Sequence, residues 1–199
     1  MPRGRPRKTD PEEALEAAMT LFWEKGFDGT SMSDLTEATG MAKPGLYANF
    51  GDKEALYAKA LDHYFNALGK PLLDDFCNHP GDYRAAIRSI LETVADAVTG
   101  GDYPCGCFVA NSLVENSHLP ESLGNLGKDL DGRRRDAFHQ RLSLAKTKGE
   151  LSQDAEIDSL ADYFSGQVLA LAVMGRAGTD RAVLQNFVNT ALSVLPERG

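Results

Sequence analysis

The 199-residue sequence has no apolar run approaching the ~18 residues needed to cross a bilayer, so no membrane-spanning helix is expected. Its basic N-terminus is not followed by an apolar stretch, which argues against a secretory signal peptide. Three cysteines, an odd number, make no disulfide framework, and a reducing cytoplasm is the expected compartment. No stretch alternates with a two-residue period rich in Val, Ile and Thr, which leaves no candidate strand. The sequence has no nucleophile elbow, phosphate loop or dinucleotide fingerprint. It is therefore read as a non-enzyme with no cofactor. Positive net charge is also missing: the balance is −8, which argues against simple electrostatic adhesion to DNA.

The distribution of charge says more than the sum. Residues 1–70 hold nine Lys/Arg against eleven Asp/Glu, and residues 71–199 hold twelve against eighteen. Four of the basic residues fall in the first eight positions with no acid among them. A local basic footprint on an acidic protein is the functional reading of this arm, residues 1–9. A solvated flexible tail is the other.

What is present reads as helix after helix, about nine in all, cut by Gly and Pro at helical lengths. Asp10 is a good N-cap, Pro11 suits the first helical position, and Glu13 can close a capping box. Leu15, Ala18, Met19 and Phe22 form one apolar stripe, and Gly26 ends the helix. A short second helix is capped by Ser31 with Asp34 three residues on, and stops at Gly40. A third runs from about Lys43 to Phe50 with Leu46 and Phe50 inward. Two short helices joined by a turn containing Gly are a helix-turn-helix signature, placed at 10–52. A connector helix is expected over 53–70, ending at Gly69-Lys70-Pro71. Five more helices are predicted over 82–99, 106–118, 122–148, 154–176 and 179–195. Together they form an all-α regulatory and dimerisation domain, 71–199. The last two helices are apolar over more than half their circumference, and Gly166 and Ala170 lie four apart. This predicts a homodimer through about 154–195, against the alternative of a monomer that buries both.

Two stretches carry a resemblance. Gly26-Phe27-Asp28-Gly29-Thr30-Ser31-Met32-Ser33-Asp34-Leu35 and Gly40-Met41-Ala42-Lys43-Pro44-Gly45-Leu46-Tyr47-Ala48-Asn49-Phe50-Gly51-Asp52-Lys53-Glu54-Ala55-Leu56 resemble the DNA-binding domain of TetR-family regulators. The resemblance covers about a quarter of the chain. It implies a homodimeric repressor whose two third helices enter successive major grooves of a double-stranded, pseudo-palindromic operator. It also implies a small-molecule inducer that shifts the dimer between two geometries.

Roles carried over with the resemblance place Lys43, Pro44 and Gly45 at base edges, with Lys43 donating to guanine. Tyr47, Asn49 and Lys53 would contact phosphates, and Ser31 and Ser33 would touch them from the second helix. The chain departs from the family pattern at Ala42, where a Ser cap is usual, and at Gly45, where Ser or Thr is usual. Both departures remove a hydroxyl. Arg3-Gly4-Arg5-Pro6 resembles an AT-hook core, which implies Arg3 and Arg5 in a narrow minor groove.

Tyr103-Pro104-Cys105-Gly106-Cys107-Phe108 resembles the run that opens a helix in TetR-like regulators, some of which sense electrophiles or oxidants. Cys107 in the first turn of a helix would be reactive, and Cys105 or Cys77 could resolve it as a disulfide. Alternatively Cys107 is a small buried hydrophobe. For a noncovalent ligand the candidate walls are Phe108, Phe138, His139, Tyr163, Phe164, Gln167 and Met174, each of which could equally be core. A metal site drawn from Cys77, His79, Cys105, Cys107 and His118 lacks the paired spacings of structural zinc, so no metal is expected.

Overall fold

The computed structural model of the protein describes residues 10–196. Among these the chain is helical, with no strand. α1 (Pro11–Lys25) starts at Asp10, whose carboxylate accepts from the Glu12 backbone N–H at 2.9 Å. The expected capping box with Glu13 does not close. Asp10 takes the second N–H rather than the third, and Glu13 simply faces the positive end of the helix. α2 (Met32–Thr39) does close its box: the Ser31 hydroxyl accepts from the Asp34 N–H, and the Asp34 carboxylate accepts from the Ser31 N–H at 2.8 Å. α3 (Lys43–Phe50) follows, with Ala42 supplying no side-chain cap. α4 (Lys53–Tyr64) is capped by Asp52, which accepts from the Ala55 N–H.

The connector does not stop at Pro71. A π-helical turn, Phe65–Gly69, joins α4 directly to α5 (Lys70–Cys77). Proline inside an α-helix removes one hydrogen bond and clashes with the carbonyl four residues back. The widened turn, in which the Lys70 N–H reaches back to the Phe65 carbonyl, removes that conflict by putting Pro71 in the first turn of a fresh α segment. The rod therefore runs on for seven residues beyond the expected end at residue 70.

The body comprises α6 (Tyr83–Ala97), α7 (Phe108–Val114), α8 (Glu121–Thr147), α9 (Ile157–Arg176) and α10 (Arg181–Leu192), each inside its predicted span apart from α8, which starts one residue earlier. Gly100 and Gly101 turn the chain between α6 and α7 with φ of 102° and 126°, values that favour glycine. One buried cluster joins α5, α6, α8, α9 and α10 through Phe76, Ile87, Phe138, Phe164 and Leu184. The other joins α1 to α4 through Met19, Phe22, Leu35, Leu46 and Tyr57. This second cluster also takes in Phe108 and Val109 from α7 and Leu123 and Leu130 from α8. Phe108 meets the rings of Tyr57 and Tyr64 edge-on, at 5.2 and 5.9 Å between centroids.

Candidate nucleic-acid interface and effector cavity

α3 buries Leu46 and Phe50 and turns its other side to solvent. On that open side Tyr47 is 44% exposed, unusual for a tyrosine this close to a core. Lys43 and Pro44 are exposed beside it, and the Lys43 ammonium sits 5.9 Å from the Tyr47 ring centroid. A methyl added at Gly45 would meet nothing within 4 Å, so the helix presents bare backbone there. Asn49 is exposed, and its amide donates to the Gly45 carbonyl at 2.7 Å. Lys53 lies over the Phe27 ring at 4.2 Å, which fixes its stem at the start of α4. The Ser31 hydroxyl is taken up by the capping box, while Ser33 is exposed next to it. Lys59, which sequence reasoning did not single out, donates to the Asn49 carbonyl at 3.2 Å and adds a cation beside this group. Arg3 and Arg5 lie outside the described residues.

The Asp34 carboxyl is held down at about 2 by hydrogen bonds from the Ser31 hydroxyl and N–H and by Lys25. Asp34 is thereby an anion that closes the first turn of α2 and ties it to Lys25 at the end of α1.

A cavity of about 340 Å³ lies between the connector rod, α6, the segment 100–107, α8 and α9. Its walls are mostly apolar, from Leu68, Leu72, Val94, Val98, Leu130 and Val168. Its polar fittings are the buried Arg134, paired with Asp131 at 2.5 Å and donating to Ser165 at 3.1 Å, together with Asp102 and Tyr103. Of the expected sensing residues, Cys107 is in the wall. It is the N-cap residue of α7 rather than part of its first turn, and its sulfur accepts a hydrogen bond from the Tyr64 hydroxyl at 3.2 Å. Burial first, and then Cys107, push the Tyr64 hydroxyl well above its usual range.

The other candidates go elsewhere. Phe108, Phe138 and Phe164 are fully buried core, the last two stacked at 6.2 Å. Tyr163 packs edge-on against Phe164, and Gln167 donates to the Tyr163 carbonyl. His139 is an outer neighbour of Asp158 at 3.8 Å, Met174 packs on the body core, and Cys105 is exposed. Cys77 faces Gln140 on α8. Among the described residues Cys77, His79, Cys105, Cys107 and His118 form no cluster that could hold a metal ion. Sequence reasoning missed Trp23, Tyr64 and Arg134. Trp23 sits one residue past the apolar stripe of α1, and an Arg on α8 reads as surface until its partner Ser165, 31 positions away, is brought beside it.

A three-helix unit with an open recognition face, set by a continuous connector on a helical body that encloses a cavity, defines a helix-turn-helix regulator of transcription. Residues 14–60 match the family model for bacterial regulatory proteins of the tetR family, and 84–191 match the tetracyclin repressor-like C-terminal domain. The chain belongs to the TetR family. It is 31% identical to the HTH-type transcriptional repressor ComR of Escherichia coli (strain K12), over 98% of this chain and 93% of ComR. It is 31% identical to the HTH-type transcriptional regulator YezE of Bacillus subtilis (strain 168), over 96% and 99%. A solved structure of the TetR family regulator CifR, a cysteine mutant complexed with 26 bp double-strand operator DNA, superposes with a TM-score of 0.90 at 30% identity. That superposition covers 97% of this chain and 100% of CifR.

Proposed function

We propose that the protein is a cytoplasmic transcriptional repressor, without enzymatic activity, that binds a pseudo-palindromic operator as a homodimer. A small molecule entering the cavity between connector, α6, α8 and α9 releases it. The observation that carries the reading is the open face of α3, where Lys43, Pro44, Gly45 and Tyr47 stand clear of a helix whose other side is anchored by Leu46 and Phe50. Lys43, Pro44 and Gly45 read base edges; Tyr47, Asn49, Lys53 and Ser33 position the phosphates, with Ser31 holding the start of α2 through its capping box; Arg3 and Arg5 reach the minor groove. ComR is a repressor by name and the CifR structure holds operator DNA, which supports the same partner here. Exposed Val173 on α9, Val183 on α10 and Val194 just after it, at 47–49%, supply apolar surface for the two-fold contact.

The test is fluorescence anisotropy on the DNA upstream of the protein's own gene, with sites selected from random DNA as the second source. Specific, salt-sensitive binding is expected. Lys43→Ala is expected to cost about 1–3 kcal/mol on the specific site and to relax sequence preference. Lys53→Ala should weaken all sequences alike and lower the salt slope by about one unit. Equal losses for Lys43→Ala on specific and random DNA would remove its base-reading role.

A second signal is supported by Cys107, which lies in the cavity wall against the Tyr64 hydroxyl. Thiol modification there would act on the same cavity. Loss of operator binding on mild oxidation, restored by thiol and absent in Cys107→Ser, is the outcome this second reading requires.

A further inference from the structure

The last four carbonyls of an α-helix have no partner within the helix. In α1 the Phe22 carbonyl is taken by the Gly26 N–H at 2.8 Å. Those of Trp23 and Glu24 are taken by side chains of the body. Arg176, the last residue of α9, donates Nη1 to the Trp23 carbonyl at 2.9 Å and Nη2 to the Glu24 carbonyl at 2.8 Å. Asn111 of α7 adds a bond to the Trp23 carbonyl at 3.3 Å. The Arg176 cation also faces the negative end of the α1 dipole. One guanidinium therefore grips the DNA-binding unit at two adjacent points with two nitrogens held in a planar fork, a geometry that a lysine ammonium lacks.

The stem of that arginine rests on the cavity wall. A Cβ built on Gly106 would lie 3.1 Å from the Arg176 Cβ and 3.2 Å from the Ala172 carbonyl oxygen. Gly106 lines the cavity, has φ of 90°, and donates its N–H to the Val98 carbonyl at 2.9 Å. No room separates the wall at Gly106 from the foot of Arg176. A displacement of the 100–107 wall would therefore meet the arginine stem first.

We infer that Arg176 is a positioning residue: a two-point latch that sets the orientation of the DNA-binding unit and couples it to the cavity through Gly106. The inference rests on the operator-binding reading above. It implies a route from cavity to DNA that runs through α9 and α1, beside the one through the connector.

The test measures operator binding by Arg176→Ala, Arg176→Lys and Gly106→Ala in the full chain, on the best operator and on operators with one base pair added or removed between half-sites. Each added base pair moves one half-site by roughly 3.4 Å and turns it by roughly 35°. A fixed orientation makes the wild type intolerant of that change. Arg176→Ala is expected to bind the best operator about tenfold more weakly and to lose several-fold less than the wild type on the altered spacings. Arg176→Lys, which keeps the charge without the planar fork, should fall between the two. Gly106→Ala removes no latch atom but strains the backbone at a φ of 90° and presses on the arginine stem, and, where circular dichroism shows it folded, should broaden the spacing profile as Arg176→Ala does. A role in stability alone would lower affinity without changing the profile. If Arg176→Ala, folded by circular dichroism, keeps the wild-type profile, the latch is overturned. A wild-type profile in Gly106→Ala overturns its link to the cavity. Should Arg176→Ala fail to fold, Arg176→Lys and Asn111→Ala decide on the same readout. Absence of specific binding by the wild type would instead overturn the operator reading itself.

Discussion

At the scale of single residues, Gly45 is the least economical choice for α3 as an isolated helix. Glycine within a helix costs roughly 0.5–1 kcal/mol relative to alanine, and a methyl here would meet nothing. Gly45→Ala should therefore raise Tm by roughly 1–4 °C in a thermal scan. The same substitution should weaken operator binding, because the added methyl stands on the face offered to DNA. A gain in Tm with unchanged operator affinity would mean that DNA does not approach the backbone at this point. The position was visible in the sequence as a departure from the family pattern. Its openness was not, because a sequence does not state what lies 4 Å from a Cβ.

At the scale of elements, caps and breaks were largely legible. Ser31 with Asp34 is a local signal, and the hydrogen bonds that satisfy it form within three residues. Asp34 also gives α2 a titration. Its folded value, about 2, lies below the ordinary 3.8, so the stability it contributes is full above pH 4 and is lost as pH falls through 2. Unfolding midpoints in urea should fall less steeply between pH 4 and pH 2 in Asp34→Asn than in the wild type. Equal slopes would show that the Asp34 charge adds nothing to α2. Pro71 is the break that misled. Local rules say that proline ends a helix, but the stretch around the π turn is held by packing, with Phe65 buried and Leu68, Leu72 and Leu73 against the two buried clusters. That information is tertiary.

At the scale of the whole molecule, the cavity was the least legible feature. Its wall draws on Trp23, Tyr64, Val98, Cys107, Arg134 and Val168, six places spread over 146 positions. Periodicity reveals which face of a helix is buried, but not which buried face borders a space. Phe138 and Phe164 therefore looked like wall and are core. The joint between α6 and α9 is equally global. A Cβ at Gly175 would lie 2.5 Å from the Val98 carbonyl oxygen and 2.6 Å from its side chain. Gly175→Ala should destabilise the protein by about 1–3 kcal/mol, seen as a lower urea midpoint with an unchanged m-value. No loss would mean that the α6–α9 joint yields easily. The shared burial of Phe108, Val109, Leu123 and Leu130 with α1 to α4 has a consequence for inheritance. A recombination that joined these four helices to another regulator's body would replace the Phe108 contact that covers Tyr57 and Tyr64. Exchange of the whole unit is expected to preserve stability best when α7 and the start of α8 are carried along.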